Sequence, residues 1–154
     1  MNLDVGSSGE LRGDVNVDLI NLHLAHDKIF VRADAQYLPF AENVFKETTC
    51  YHVIEHVENP SFLLKELIRV TKNKVTVKCP YRFSLYAKSS QHKHYFNKRW
   101  FRKQLSKMSV IFHAAVNLDR ERDILKIPLE ITVRIYKLKT CSVSSARRTR
   151  VSRF

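Results

Sequence analysis

Glycines, aspartates and a histidine occur where four short apolar runs of the sequence end. They are Gly6 and Gly9 after residues 2–5, Asp18 near the end of 15–19, Asp34 after 28–31, and His52 after 47–51. Runs of this length that are bounded by turn-forming residues are typical of strands. Because ligands in open α/β sheets bind beyond the carboxyl ends of the strands, these residues are candidates for a binding site.

The residue types at these positions indicate a nucleoside-containing ligand. Gly6 has no Cβ, which permits a sharp turn and a close approach of the backbone to a ligand. An aspartate that ends the second strand, as Asp18 does, is the usual acceptor for paired ribose hydroxyls. Asp34, after the third strand, can accept a hydrogen bond from an exocyclic amine. Together these residues predict a pocket for an adenosine-type cofactor.

Strands and helices alternate along the chain. Asn59 and Pro60 mark a helix start, apolar residues continue at helical spacing to Val70, and a second amphipathic helix is predicted over 97–107. Further strands are predicted over 75–79, 110–116 and 129–138. This alternation predicts an α/β fold with a mostly parallel sheet. The connection between the last two strands is too short for a helical crossover, so the C-terminal strand is expected to be antiparallel.

Several segments, in order, resemble a known family. They are LDVGSSG (3–9), GDVNVD (13–18), ADAQYLPF (33–40), HVIEHV (52–57) and LKELIRV (64–70). In this order they resemble the motifs of the class I S-adenosylmethionine-dependent methyltransferases, and specifically the type 11 subgroup. The resemblance covers roughly residues 2–108 and implies a Rossmann-like fold that binds S-adenosylmethionine.

The resemblance also implies a role for individual residues. These are Asp4, Gly6 and Gly9 along the methionine part of the cofactor, Asp18 at the ribose, Asp34 with the backbone of Ala35 at the adenine, and His52 beside the transferable methyl group. By the same resemblance, Glu55 and His56 are structural and fix the start of the following helix. No residue is assigned to a metal.

The sequence departs from the family pattern near its beginning. Ser8 replaces a glycine of the first motif, which narrows the room for a close backbone approach. Only 12 residues separate Gly6 from Asp18, too few for a complete strand–helix–strand unit, so the first helix is expected to be a single turn or absent. The chain also begins at the first strand. We therefore expect an N-terminally truncated, short variant of the fold.

Charge is distributed unevenly along the 154 residues, whose formal net charge is +12. Residues 1–66 are net acidic, whereas 67–118 contain no acidic residue at all. With the family resemblance, the basic half favours an anionic acceptor, although a solvated basic surface explains the charge nearly as well, and binding of nucleic acid is the less favoured interpretation. We expect a methyltransferase-like domain over 1–139, followed by a basic, disordered tail over 140–154. No run is apolar and long enough to span a membrane, and a cytoplasmic protein is expected.

Other chemistries fit parts of the sequence less well. Residues 52–56 spell H-x-x-E-H, a zinc-hydrolase motif that requires both histidines inside a helix, whereas Pro60 places the helix start after them. His92 and His94 could form a metal pair, but a polar surface loop is the more common reason for such residues. Cys50 and Cys79 lie in strand patterns and are expected to be buried apolar residues rather than nucleophiles.

Direct displacement of a methyl group from the cofactor to an acceptor is the predicted reaction. The protein positions the acceptor in line with the methyl group, and a base is needed only if the acceptor must lose a proton. His52 is the first candidate for that base and Tyr81 the second. We expect an oxygen or carbon acceptor on a small or glycan-type molecule. The alternative is a non-catalytic module that binds a partner or RNA through its basic half.

Overall fold

A single seven-stranded sheet organises the part of the chain that the computed structural model describes, residues 1–20, 28–118 and 128–138. Its strands are β1 (Asn2–Val5), β2 (Val15–Asp18), β3 (Ile29–Arg32), β4 (Phe45–Tyr51), β5 (Thr71–Pro80), β6 (Val110–Leu118) and β7 (Pro128–Lys137). The spatial order is β3-β2-β1-β4-β5-β7-β6. Strands β1 to β5 pair in parallel, and β7 is antiparallel to both β5 and β6. The predicted Rossmann-like α/β class is confirmed.

The connection from β1 to β2 contains no helix. Residues 6–14 return along the sheet as turns and bends, as the spacing predicts. The buried side chain of Asn16 on β2 holds the end of this return. Its Oδ1 accepts from the Gly13 N–H at 3.1 Å, and its Nδ2 donates to the Gly13 carbonyl at 3.0 Å. A single amide side chain therefore satisfies backbone groups that a crossover helix would satisfy itself.

Helix α1 (Pro60–Val70) connects β4 to β5 and buries an apolar face against the core. The Asn59 side chain accepts from the Phe62 N–H at 3.0 Å, and Pro60 occupies the first turn, where an N–H would lack a helical partner. Leu63, Leu64 and Leu67 are fully buried. Strand β5 follows at once, earlier than the predicted residue 75, because Thr71 already pairs with Phe45.

An ion pair between Arg69 and Glu66 on α1 binds the backbone of the loop that precedes β4. The Arg69 guanidinium contacts the Glu66 carboxylate at 2.6 Å and donates to the carbonyls of Phe40 and Leu38 at 2.7 and 3.0 Å. Glu66 also accepts from the Leu38 N–H at 3.1 Å. The hydrogen bond from Arg69 lowers the pKa of Glu66, partly opposed by burial. Residues of the ADAQYLPF and LKELIRV segments are thus bound to each other.

Helix α2 (Lys98–Leu105) packs against β6 with the apolar stripe that the sequence predicts. Phe101 and Leu105 are fully buried, and Trp100 meets Phe96 edge to face at 4.7 Å. The basic residues of α2 are exposed: they are Lys98, Arg99, Arg102 and Lys103. A short 3-10 turn over Leu85–Lys88, absent from the sequence prediction, precedes α2. The predicted basic tail, 140–154, lies outside the described residues.

The ion pair of Glu66 predicts a pH-dependent contribution to stability. We expect Glu66→Gln to lower the free energy of unfolding by about 1–2 kcal/mol near neutral pH, because it removes hydrogen bonds to a charged group. Since the fold lowers the pKa of Glu66, its contribution is present above the unfolded value of about 4.3 and is lost as pH falls through the lower folded value.

Urea unfolding of both proteins at about pH 7 and about pH 4 measures this difference. Glu47→Gln is the matched control, because the Glu47–Lys74 pair at 2.7 Å is more exposed and should contribute less than about 0.5 kcal/mol. Equal effects of the two substitutions at neutral pH would contradict the assignment.

Candidate cofactor and acceptor site

A cavity of about 510 Å³ opens at the carboxyl ends of the parallel strands. Five of the predicted site residues line it: Gly6, Asp18, Asp34, Ala35 and His52. Other lining residues were not among the predicted site residues, and they include Leu19, Gln36, Val53, Gln91 and Lys93. Asp4 and Gly9 are not among the lining residues. The structure therefore brings together the ends of β1, β2, β3 and β4, as the strand pattern indicates.

Gly6 turns the chain sharply at the end of β1. Its φ is +76°, in the left-handed region, and its N–H donates to the Val17 carbonyl at 2.7 Å. A Cβ on Gly6 would clash with Val53 Cγ2. The absence of a side chain thus lets the β1 loop and the segment after β4 approach each other beside the cavity.

Asp18 holds the loop that follows β1 as well as facing the cavity. Its Oδ2 accepts from the Ser8 N–H at 3.0 Å and its Oδ1 from the Ile20 N–H at 3.1 Å. A carboxylate has about four lone-pair positions, so each oxygen retains capacity for a further donor. Ser8, which replaces the family's glycine, also has a positive φ of 41°. Backbone hydrogen bonds therefore orient the proposed ribose acceptor in advance.

Asp34 and Gln36 connect the third strand to the start of α1. Asp34 Oδ1 accepts from the Gln36 N–H at 2.8 Å, and Gln36 Oε1 accepts from the Asn59 N–H at 2.8 Å. Ala35, between them, is buried. This chain of hydrogen bonds fixes the side of the cavity at which an adenine ring is expected.

Asp4, on β1, is fully buried. The Thr49 hydroxyl donates to its Oδ1 at 2.7 Å, and the Arg12 guanidinium lies 3.6 Å from its Oδ2. The carboxylate therefore joins β1, β4 and the return loop. Gly9 has a φ of +93°, and a Cβ added to it would meet no neighbouring atom within 4 Å, so it serves the turn and not a close contact.

A second cavity, of about 520 Å³, adjoins the first. It is lined by His52, Glu55, His56, Pro80, Ser89, His92 and Glu130. His52 and His56 line both cavities. No lysine or arginine is among these lining residues. Tyr81, the second candidate base, lines neither cavity.

His52 lies between the two cavities in a restricted conformation. Its φ is +56°, uncommon for a residue with a side chain, and its N–H donates to the Lys78 carbonyl at 2.9 Å. Nδ1 lies 3.4 Å from Glu55 Oε1 and Nε2 lies 3.0 Å from Glu130 Oε1. The contact with Glu55, partly opposed by burial and reinforced by Glu130, raises the pKa of His52.

The two cysteines in the described residues are buried, as the strand patterns predict. Burial is the main cause that raises the pKa of both Cys50 and Cys79, and the nearby Glu55 carboxylate adds to it. Both side chains therefore remain thiols, and neither is a nucleophile at neutral pH.

Comparison with known proteins relates this chain to a protein family. The family model of a methyltransferase domain matches residues 14–77, which include β2, β3, β4 and α1. Over this stretch, which is less than half of the 154 residues, the chain is similar to the methyltransferase family. A search of curated proteins finds no match. The resemblance inferred from the five sequence segments is confirmed.

Solved structures share the fold of this chain at low sequence identity. An S-adenosylmethionine-dependent methyltransferase from Thermotoga maritima is 17% identical, with a TM-score of 0.68 over 89% of this chain and 82% of that one. One from Mesorhizobium loti is 11% identical, with a TM-score of 0.68 over 88% and 90% of the two chains. The [4+2]-cyclase SpnF is 12% identical, with a TM-score of 0.69 over 88% and 73%. The same fold thus also occurs in a protein named for a different reaction.

The two positive-φ glycines provide a matched test of the cavity wall. Gly9→Ala should lower the free energy of unfolding by about 1–2 kcal/mol, the cost of a left-handed conformation in open space. Gly6→Ala has the same cost plus a clash with Val53, so we expect a loss of at least about 3 kcal/mol. Chemical denaturation measures both values. Equal losses would contradict a close approach at Gly6.

Proposed function

We propose that the first cavity binds S-adenosylmethionine and that the methyl group passes to an acceptor in the second cavity. The observation that carries this proposal is the joint lining of one cavity by Gly6, Asp18, Asp34 and His52, each from the end of a successive parallel strand. A volume of about 510 Å³ suits a ligand of nucleoside size.

The residues present fit the cofactor. Asp18, already oriented by the Ser8 and Ile20 amides, would accept from the ribose hydroxyls. Asp34 and the backbone of Ala35 would meet the adenine, and Gly6 with Ser8 would run along the methionine part. In this proposal Asp4 and Gly9 shape the loop, Asp4 through its contact with Arg12. The cofactor supplies an activated methyl group, and the protein supplies its placement.

We propose a small, hydroxyl-bearing acceptor, of which a glycan-type molecule is one example. His52 and Glu130 both line the second cavity, and the Glu130 carboxylate can accept a hydrogen bond from a hydroxyl. Methyl transfer forms a bond between the acceptor oxygen and the methyl carbon, while the bond to sulfur breaks and its electron pair stays on sulfur. The hydroxyl proton passes to His52, the proposed catalytic base. The excess basic charge of residues 67–118 does not line this cavity, so an anionic acceptor would require another source of positive charge.

Cofactor binding can be measured on the purified chain. Isothermal titration with S-adenosylhomocysteine should show saturable binding, and Asp18→Ala should weaken it by roughly 10–100-fold, as expected for loss of hydrogen bonds to a charged group. Asp14→Ala is the matched control. Asp14 precedes the other end of the same strand, where it accepts from the Asn2 N–H at 2.7 Å, and it does not line the cavity.

Two outcomes of this titration would overturn the cofactor proposal. One is no heat at high ligand concentration, which would favour a module that acts through the exposed basic residues of α2 instead. The other is equal weakening by Asp14→Ala and Asp18→Ala, which would show that the effect does not depend on a carboxylate that lines the cavity.

The proposed catalytic role of His52 can be tested separately from cofactor binding. Asparagine tolerates a positive φ, so His52→Asn should keep the local backbone and the affinity for S-adenosylhomocysteine. Transfer of labelled methyl to a panel of hydroxyl-bearing metabolites should fall by about 100-fold or more. Retained transfer in the His52→Asn protein would exclude the catalytic role.

A further inference from the structure

Three side chains with metal-ligating atoms converge at the second cavity. They are Glu55 and His56, which follow β4, and His92, from the loop that follows the 3-10 turn. One ligand atom from each lies within 4.8 Å of the others. His92 is separated from the other two by more than 30 positions in sequence, so only the fold brings the three together.

Backbone carbonyls fix the tautomer of both imidazoles. His56 Nδ1 lies 3.1 Å from the Gln91 carbonyl, and His92 Nδ1 lies 3.1 Å from the Ala87 carbonyl. A carbonyl oxygen can only accept, so each Nδ1 carries the proton and each Nε2 keeps its lone pair. Metal-ligating histidines almost always donate their other ring nitrogen in this way. The two rings meet edge to face, with centroids 4.9 Å apart.

The Glu55 carboxylate supplies a second, independent observation. Its side chain is only 1% exposed, it lines the second cavity, and neither of its oxygens has a hydrogen-bond partner among the described residues. The imidazole of His52 is close to it, with Nδ1 3.4 Å from Oε1, but without the geometry of a hydrogen bond. Burying a carboxylate without partners is costly, and buried charges in proteins are usually paired or coordinate a metal.

We propose that Glu55, His56 and His92 form a binding site for a divalent first-row transition-metal ion of the zinc type. Two imidazoles and one carboxylate are a donor set that such ions accept, with a further position left for water or substrate. All three proposed ligands line the second cavity, so that position would be open to it. The site differs from the zinc-hydrolase motif of residues 52–56, which lies in turns rather than a helix and uses His52 as a ligand.

A metal here would change which acceptor the second cavity accepts, a consequence that rests on the proposed function. Among the described residues that line the second cavity, two carry a carboxylate and none is a lysine or arginine. A divalent cation would therefore bring positive charge to this cavity. It could hold an acceptor oxygen, including that of an anion, next to His52 and therefore next to the first cavity. Metal binding itself requires neither cofactor nor transfer.

Titration of the full-length, metal-free chain with Zn²⁺ alone tests the site. We expect one ion per chain at this site, and loss of at least about 100-fold in affinity for Glu55→Gln and for His92→Gln, because even outer-sphere partners contribute 10–100-fold. His94→Gln is the matched control: His94 lies in the same loop, its Nε2 contacts the Glu58 carbonyl at 3.2 Å, and it is outside the cluster. The affinity of the His94→Gln protein for Zn²⁺ should equal that of the native chain.

Thermal denaturation gives a second readout without cofactor. Zn²⁺ should raise the melting temperature of the native chain and of His94→Gln but not of His92→Gln. His92 lies in a loop, so its variant should fold even if the buried Glu55→Gln does not. The proposal is overturned if the native chain does not bind Zn²⁺, or if His92→Gln binds it as tightly as His94→Gln, which would place the ion elsewhere. Neither result bears on the cofactor proposal, which the titration with S-adenosylhomocysteine tests separately.

Discussion

Parallel pairing of the four-residue strand β1 with β2 on one side and β4 on the other is the constraint on which the site depends. The pairing sets three carboxyl ends side by side, so Gly6, Asp18 and His52 reach one cavity without any long-range loop. The hydrogen bond from the Thr49 hydroxyl to Asp4 connects β1 to β4. A shift of one residue in this register would turn Asp4 away from Thr49.

Local chemistry made much of this arrangement predictable from the sequence. The Asn59–Pro60 start of α1, the short return between Gly6 and Asp18, and the strand ends that carry Asp34 and His52 each depend on residues close together in the chain. Such features follow from turn, capping and strand preferences. The early start of β5 could not be predicted from such local preferences, because Thr71 belongs to the strand through its pairing with Phe45, which is distant in sequence.

Long-range contacts explain what the sequence could not show. Glu130 is one residue of an alternating strand, and nothing beside it in sequence indicates that it contacts His52. Residues 52–56 matched a zinc motif in which His52 and His56 are the pair, whereas the structure pairs His56 with His92. Glu55, expected to be structural from the family resemblance, is buried with its carboxylate unpartnered among the described residues. Which polar residues share a cavity is a property of the tertiary structure.

The position of β7 between β5 and β6 has a consequence for how the molecule forms. Strand β6 is synthesised before β7, and among the described strands it pairs only with β7, so its partner in the sheet is not present until the later strand arrives. Strands β1 to β5 have no such dependence and can pair in the order of synthesis. The cavity walled by Gly6, Asp18 and Asp34 can therefore take shape on a nascent chain, whereas the wall that contains Glu130 is added last.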